Sequence, residues 1–314
     1  MHVDETLLQD FENELNAAYP DQSGIRPAIL GYGEISTTFA IPTIPDMAFK
    51  RMPPFENLDQ IAAYKVVVKK YCGLLVNECG IRVADYDFFD MENRHGEKIL
   101  YVAQTRLPES SIGHQILKSG TRFELDHLMN ATLEPLIRLF KFNRDNSQNI
   151  SIGLDGQLSN WSFQGSGGNR FSPTYFDITT PMIRMSGRDL LDTEIFLKSC
   201  PSFLVWLVRW QFLAEVLDRY HDVRMILVDL VANFYKEGRD DLIEHALQTI
   251  NGRLESEKLT PEIKPLTRPE IDAYYKNDAF IWTVFLSLRR MDRFMKTRIL
   301  GLRYNFMLPG KIQR

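Results

Sequence analysis

Gly153-Leu154-Asp155-Gly156-Gln157-Leu158-Ser159-Asn160-Trp161-Ser162-Phe163 is the stretch on which the reading of this chain turns. It holds an acid, an amide five positions later, and then an apolar run with the character of a strand. A second acid follows inside another apolar run, Tyr175-Phe176-Asp177-Ile178. Phosphoryl transfer needs this set: one carboxylate to take a hydroxyl proton, and an amide with a second carboxylate to hold magnesium. Asp155-Gly156 alone is equally a hairpin turn, because Asp-Gly tolerates the positive φ that such turns require. The upstream chain has to decide between the two.

Composition sets the frame. The 314 residues suffice for one bilobal unit or two ordinary domains. Hydrophobic residues at 44% and charged residues at 25% are the profile of a soluble globular protein, and a net charge of -4 gives no general argument for nucleic acid. Cys72, Cys79 and Cys200 form no C-x-x-C pair, which fits a reducing, cytoplasmic setting and buried packing of the first two. The six histidines are scattered and carry no zinc signature. No basic region followed by an apolar block marks a signal peptide. The most apolar segment, 203–217, is broken by Arg209 and Glu215 and is too short to span a bilayer. It reads as a buried helix with Trp206, Trp210, Phe212 and Leu213 in the core.

Leu7, Leu8, Phe11 and Leu15 line one face of a helix over 5–19, behind Asp4 as N-cap, packed on the outside of the first domain. Short β-like runs follow at 28–30, 37–41 and 47–50, punctuated by Gly and Pro. A helix at about 57–77 and strands at 81–90 and 98–106 complete this part, and Pro108 marks a linker. Helices are predicted at 110–118, 122–142, 188–199, 202–237, 239–252 and 268–300, with the Asp155 region as the one clear β interruption. Gln164 to Asn169 reads as a short flexible loop. A strand-rich first third before a helix-rich remainder predicts an α+β fold of two lobes, 1–107 and 108–314.

Leu30-Gly31-Tyr32-Gly33-Glu34-Ile35-Ser36 lies between two predicted strands. Two glycines there allow a tight turn whose N–H groups can approach phosphates, although a lone G-x-G is as often a plain hairpin. Lys50, in Ala48-Phe49-Lys50 on the next predicted strand, could neutralise phosphate oxygens, or it could be an exposed strand lysine.

With these residues in order, the chain resembles the protein-kinase-like superfamily, nearest to its small-molecule branch of aminoglycoside and choline kinases. The resemblance is one of motif order and spacing over about residues 28–180. It implies a small antiparallel-sheet lobe with one main helix above a larger helical lobe. It also implies ATP and Mg2+ as cofactors and a small-molecule acceptor. The phosphate-covering loop would be Gly31, Gly33 and, in place of a third glycine, Ser36. Lys50 would steady the α- and β-phosphates, Asp155 would take the acceptor proton, and Asn160 and Asp177 would hold the metal. Adenine would lie against backbone between Thr105 and Leu107.

The chain departs from the family pattern at named places. Gly153-Leu154-Asp155 lacks the histidine of the catalytic triplet, and Asp177-Ile178-Thr179 lacks the glycine of the metal-binding one. No acid stands between Gln60 and Asn77 to pair with Lys50, which makes Glu56 the first candidate. An active enzyme and a pseudokinase acting through partners both fit. No A-P-E segment follows Asp177, which favours a small acceptor over a protein one. Arg184 and Arg188 could bind an anionic acceptor, and Asp189, Asp192 and Glu194 a cationic one or simply a helix start. The basic stretch 289–314 reads either as a surface for an anionic partner or, more simply, as a solvated helix face.

Overall fold

The computed structural model describes residues 3–33, 36–166, 170–201, 203–205 and 213–309. The first lobe is a five-stranded antiparallel sheet in the order β1-β2-β3-β5-β4. Its strands are β1 (Ala28–Tyr32), β2 (Thr37–Ile41), β3 (Ile44–Arg51), β4 (Tyr86–Glu92) and β5 (Lys98–Thr105). Period-two alternation decides which side chain faces where. On β5, Ile99, Tyr101 and Ala103 join the outer cluster, while Leu100 and Val102 join the inner one. The outer face is covered by α1 (Glu5–Glu14) through Leu8 and Phe11. Asp4 caps that helix, its Oδ1 accepting from the N–H of Thr6 and Leu7. The helix ends at Glu14, short of the predicted 19.

The inner face is covered by α2 (Leu58–Asn77), capped by Asn57 and carrying Ile61, Tyr64, Val68, Tyr71 and Leu75 inward. The same apolar cluster continues without a break into the helical lobe. That lobe contains α3 (Gly113–Ser119), α4 (Arg122–Asp145), α5 (Glu194–Ser199), α6 (Leu213–His221), α7 (Val223–Lys236), α8 (Ile243–Ser256) and α9 (Arg268–Phe294). A capping box between Thr121 and Glu124 starts α4. The whole is α+β: a five-stranded antiparallel sheet with one helix on its inner face, then a mostly helical part.

Several expectations need correction. The Asp155 region is not the one β interruption. β6 (Ile150–Ile152), β9 (Ile183–Met185) and β10 (Arg188–Asp189) form a small antiparallel sheet, and β7 (Trp161–Ser166) pairs with β8 (Arg170–Tyr175). Residues 188–199 are therefore not one helix. Ser186 and Gly187 both adopt positive φ to turn β9 into β10, and the helix starts only at Glu194. Gln164 to Ser166 belong to β7 rather than to a loop. The predicted helix 202–237 is interrupted at Asp222, which caps α7 through the N–H of Arg224 and Met225. Trp206, Trp210 and Phe212 lie outside the described residues, as does the side chain of Leu213. Cys72 and Cys79 are buried and unpaired, and burial pushes their thiols up to about 11 and about 12. They are inert packing groups.

No helix among the described residues is long and apolar enough to cross a membrane. After a π-helical turn at Met295–Ile299 the chain returns to the first lobe. There Met307 enters the outer cluster, and Tyr304 and Leu308 pack with Ala18.

Candidate functional site

The register of the first sheet aligns the predicted phosphate-binding residues. Gly31 pairs with Thr38, Thr38 with Lys50, and Lys50 with Val102, so all four face one side. Val102 belongs to the inner cluster, which makes that side the inner one. A bulge between Ile29 and Gly31 sets this alignment. A Cβ on Gly31 would meet nothing within 4 Å, so the space at this end of the row is open. Gly33 closes the turn instead, its N–H donating to the Ser36 carbonyl at 2.9 Å. Gly33 and Ser36 also border a recess shared with Arg51, Asn305 and Met307. Glu34 and Ile35, the tip of the loop, lie outside the described residues. At the other end of the sheet, Ala48 pairs with Gln104 and Ala28 with Ala40, a floor of small side chains. Thr105 ends β5, and Arg106 gives its N–H to the Asp46 carbonyl. Of the linker residues, Leu107 is half-buried.

Lys50 and Asp177 meet across the lobes. Lys50 Nζ lies 2.5 Å from Asp177 Oδ1, and 3.4 Å from the Thr179 hydroxyl. Glu56 does not pair with Lys50; it is exposed at the start of α2, its N–H bonded to the Gln60 side chain. The inward face of α2 offers tyrosines instead. Tyr64 donates its hydroxyl to the Thr179 carbonyl at 2.8 Å. Tyr71, two turns on, donates to the Gly153 carbonyl at 2.9 Å. Burial first, and the nearby Asp177 second, push both phenols well above their ordinary range, so both remain donors. One helix thus holds the backbone beside Asp177 and the backbone ahead of Asp155.

Asp155 and Asn160 share a loop braced from several sides. Asp155 Oδ1 accepts from the Gln157 N–H at 3.1 Å. Asn160 Nδ2 donates to the Asp155 carbonyl at 3.4 Å, and the Phe176 N–H donates to the Asn160 carbonyl at 3.1 Å. That last bond ties the loop to the residue before Asp177. The loop is not a hairpin turn, because the strands on either side, β6 and β7, belong to different sheets. Gln157 Nε2 donates to Asp229 Oδ2 on α7 at 2.9 Å, and burial raises that carboxyl. Close packing also explains Gly156: a Cβ there would come within 2.4 Å of Ile226.

Gly153, two residues before Asp155, packs against His221, at the end of α6. A Cβ on Gly153 would lie 3.1 Å from the His221 ring and 2.9 Å from Met182. His221 Nδ1 bonds the Ser151 hydroxyl at 3.1 Å, and the Leu154 N–H donates to the Tyr220 carbonyl at 2.9 Å. Burial, and then the Arg184 charge, lower the imidazole to about 4, against the pull of Asp189 and Asp218. The unfolded imidazole titrates near 6.5, so as pH falls the unfolded chain takes up this proton first. The contribution of His221 is whole above pH 6.5 and is lost progressively down to about 4. The loss amounts to on the order of 3 kcal/mol. Urea midpoints measured across that window should fall for the wild type and fall less steeply for His221→Gln. Equal slopes would mean that His221 is not held neutral in the fold.

Arg184 is committed to Asp189 at 2.8 Å and to Asp218 at 2.6 Å, so it is not a free anion receptor. Asp192 accepts from Gln60 and from the Glu194 N–H, as a turn residue does, and Arg188 is exposed on β10.

A model of the family of unknown function DUF6206 matches residues 17–293. The chain belongs to this family. The match covers the sheet, both halves of the site and nearly all of α9, so Gly31, Lys50, Asp155, Asn160 and Asp177 lie within the DUF6206 region. A comparison with curated proteins finds no match. Among solved structures, the GDP and kanamycin complex of APH(2")-IIia is similar at 14% identity, covering 81% of this chain and 97% of that one, with a TM-score of 0.31. The GDP complex of wild-type aminoglycoside 2'-phosphotransferase-IIIa is similar at 13% identity, covering 76% and 95%, with a TM-score of 0.30. For this DUF6206 chain the reading of the site rests on its own sheet register, its β3 lysine and the acids below it.

Proposed function

We propose that the chain is an ATP- and magnesium-dependent phosphotransferase acting on a small hydroxylated acceptor. The observation that carries this reading is the 2.5 Å contact of Lys50 with Asp177, residues 127 apart that meet beneath the open face of Gly31. Magnesium keeps water and phosphate oxygens and takes only one or two protein ligands. Asp177 and Asn160 would be those ligands. When bound, the metal neutralises phosphate charge and ATP supplies the γ-phosphoryl group.

The chain's own residues would then position and neutralise. Lys50 leaves Asp177 for the α- and β-phosphate oxygens. Gly31 and Gly33, with Ser36, let the backbone approach the phosphates. Asp155, oriented by the Gln157 N–H, takes the acceptor hydroxyl proton. The small-residue floor of Ala28, Ala40 and Ala48 suits a flat base, with backbone between Thr105 and Leu107 at its edge.

A second reading, a nucleotide-binding module without turnover, is favoured by one observation. The inward face of α2 offers Lys50 no carboxylate: Tyr64 there donates to the Thr179 carbonyl, and Lys50 is held by Asp177 instead. Thermal or urea unfolding with ATP and magnesium tests both readings. A hundredfold excess over the dissociation constant should add about 2.7 kcal/mol of stability. No gain with any nucleotide at low salt would sink both. Binding without phosphorylation of any hydroxylated compound in a broad panel would leave the second.

A further inference from the structure

The outward face of α9 carries large apolar side chains that nothing among the described residues covers. Phe280, Ile281, Val284, Met291, Phe294 and Ile299 recur at helical spacing, each 40–68% exposed. They form a stripe about 30 Å long at the helical rise per residue. Its polar members between Phe280 and Met295 are Thr283 and Ser287, with no charge along that span, and exposed Arg298 stands at its far end. Neighbouring Met295 extends it.

Four of the basic residues of this segment are engaged by the protein itself, while Arg298 and Arg303 are exposed, the first lying over Tyr19 and the second paired with Glu97. Arg289 is 3% exposed and lies over the rings of Phe285 and Phe306. Arg290 donates to the Pro309 carbonyl, and Arg293 donates to the Ala18 carbonyl and lies over Tyr19. Lys296 pairs with Asp292 at 2.9 Å. The solvated-face expectation is therefore corrected for Arg289, Arg290, Arg293 and Lys296, which engage the protein while the apolar side turns out; Arg298 and Arg303 are exposed, and Lys311 and Arg314 lie outside the described residues. An anionic membrane would need those cations at the rim of the apolar face. Here they hold the C-terminal segment and Tyr19 instead.

We propose that this face of α9 is the contact between two copies of the chain. The seven exposed apolar side chains from Phe280 to Ile299 present roughly 700 Å², taking about 150–250 Å² for each large side chain at its stated exposure. Monomers rarely expose a patch beyond about 300–600 Å², and a stable interface takes about 600–1,000 Å² from each partner. A long apolar stripe is best matched by another such stripe, and a twofold axis supplies one from the same chain. Pairing would also brace the two lobes. The helix packs on α7 at its first half and reaches Tyr19 of the first lobe at its second.

Sedimentation velocity of the full chain across the micromolar range tests this. The expected species has twice the 36.5 kDa chain mass. Met291→Glu and Phe294→Glu, both at exposed positions, should each weaken association at least ~100-fold while leaving the far-UV spectrum unchanged. Phe123→Glu, at an exposed site on α4, should leave the dimer intact. A wild-type monomer at high micromolar concentration overturns the proposal, whether or not it binds phosphatidylserine vesicles. So does a dimer that survives both α9 substitutions.

Discussion

Asp177→Asn is expected to abolish the magnesium-dependent part of nucleotide stabilisation and to lower turnover with acceptor by at least ~10²-fold, about 2.7 kcal/mol of transition-state stabilisation. The reason lies in what Asp177 touches. Its carboxylate is the partner of Lys50 at 2.5 Å, and the neighbouring Phe176 N–H is tied to the loop of Asn160. An amide at 177 cannot neutralise a divalent cation and leaves the Lys50 ammonium, 11% exposed, without its carboxylate. The ligand-free protein should therefore also lose stability. Asp155→Asn separates the two functional readings. In an enzyme it loses turnover and keeps the magnesium-dependent gain, since Asp155 is assigned to the acceptor proton and not to the metal. If Asp177→Asn retains that gain in full, Asp177 is a clamp for Lys50 and the metal assignment is wrong.

How far the sequence reached depends on the kind of contact. The order of Gly31, Lys50, Asp155, Asn160 and Asp177 is legible because each sits in a local pattern of turn, strand or acid-amide spacing. The row that joins Gly31 to Lys50 is not, because it depends on a bulge between Ile29 and Gly31 that shifts register by one residue. Tyr64 and Tyr71 read as core on an apolar helix face, and their hydroxyls matter only once the Thr179 and Gly153 carbonyls are beside them. His221 follows Gly153 by 68 positions, and no local motif links the two. β6 and β9 have three residues each, too few for a period to register. In α9 the arginines read as charge, whereas their direction decides their role.

The largest effect on stability alone is expected from Glu12→Gln, on the outer side of the first sheet. Glu12 on α1 is 5% exposed and Arg51 on β3 is 8% exposed. The carboxylate accepts from Arg51 Nε at 2.8 Å and Nη2 at 2.7 Å, from the Tyr101 hydroxyl at 2.5 Å and from Asn93 Nδ2 at 3.2 Å. Arg51 also reaches the Asn305 carbonyl at 3.3 Å. Burial alone would raise the Glu12 carboxyl, but Arg51, Tyr101 and Asn93 more than reverse this and hold it low. Its share of stability is therefore present above the unfolded value of 4.5 and lost as pH falls below it. That window lies at the lower end of the one set by His221. Glutamine keeps the shape but removes the charge, leaving a buried guanidinium uncompensated at a cost of about 3–5 kcal/mol. Glu12→Leu combined with Arg51→Met removes both charges and should cost less than Glu12→Gln, although Tyr101 and Asn93 then lose an acceptor worth about 1–3 kcal/mol. Urea unfolding of the three proteins reads this directly. A loss under about 1 kcal/mol for Glu12→Gln would mean that water reaches Arg51 when the carboxylate is gone. In that case the C-terminal segment over Asn305 opens easily and does not fix the outer face of the sheet.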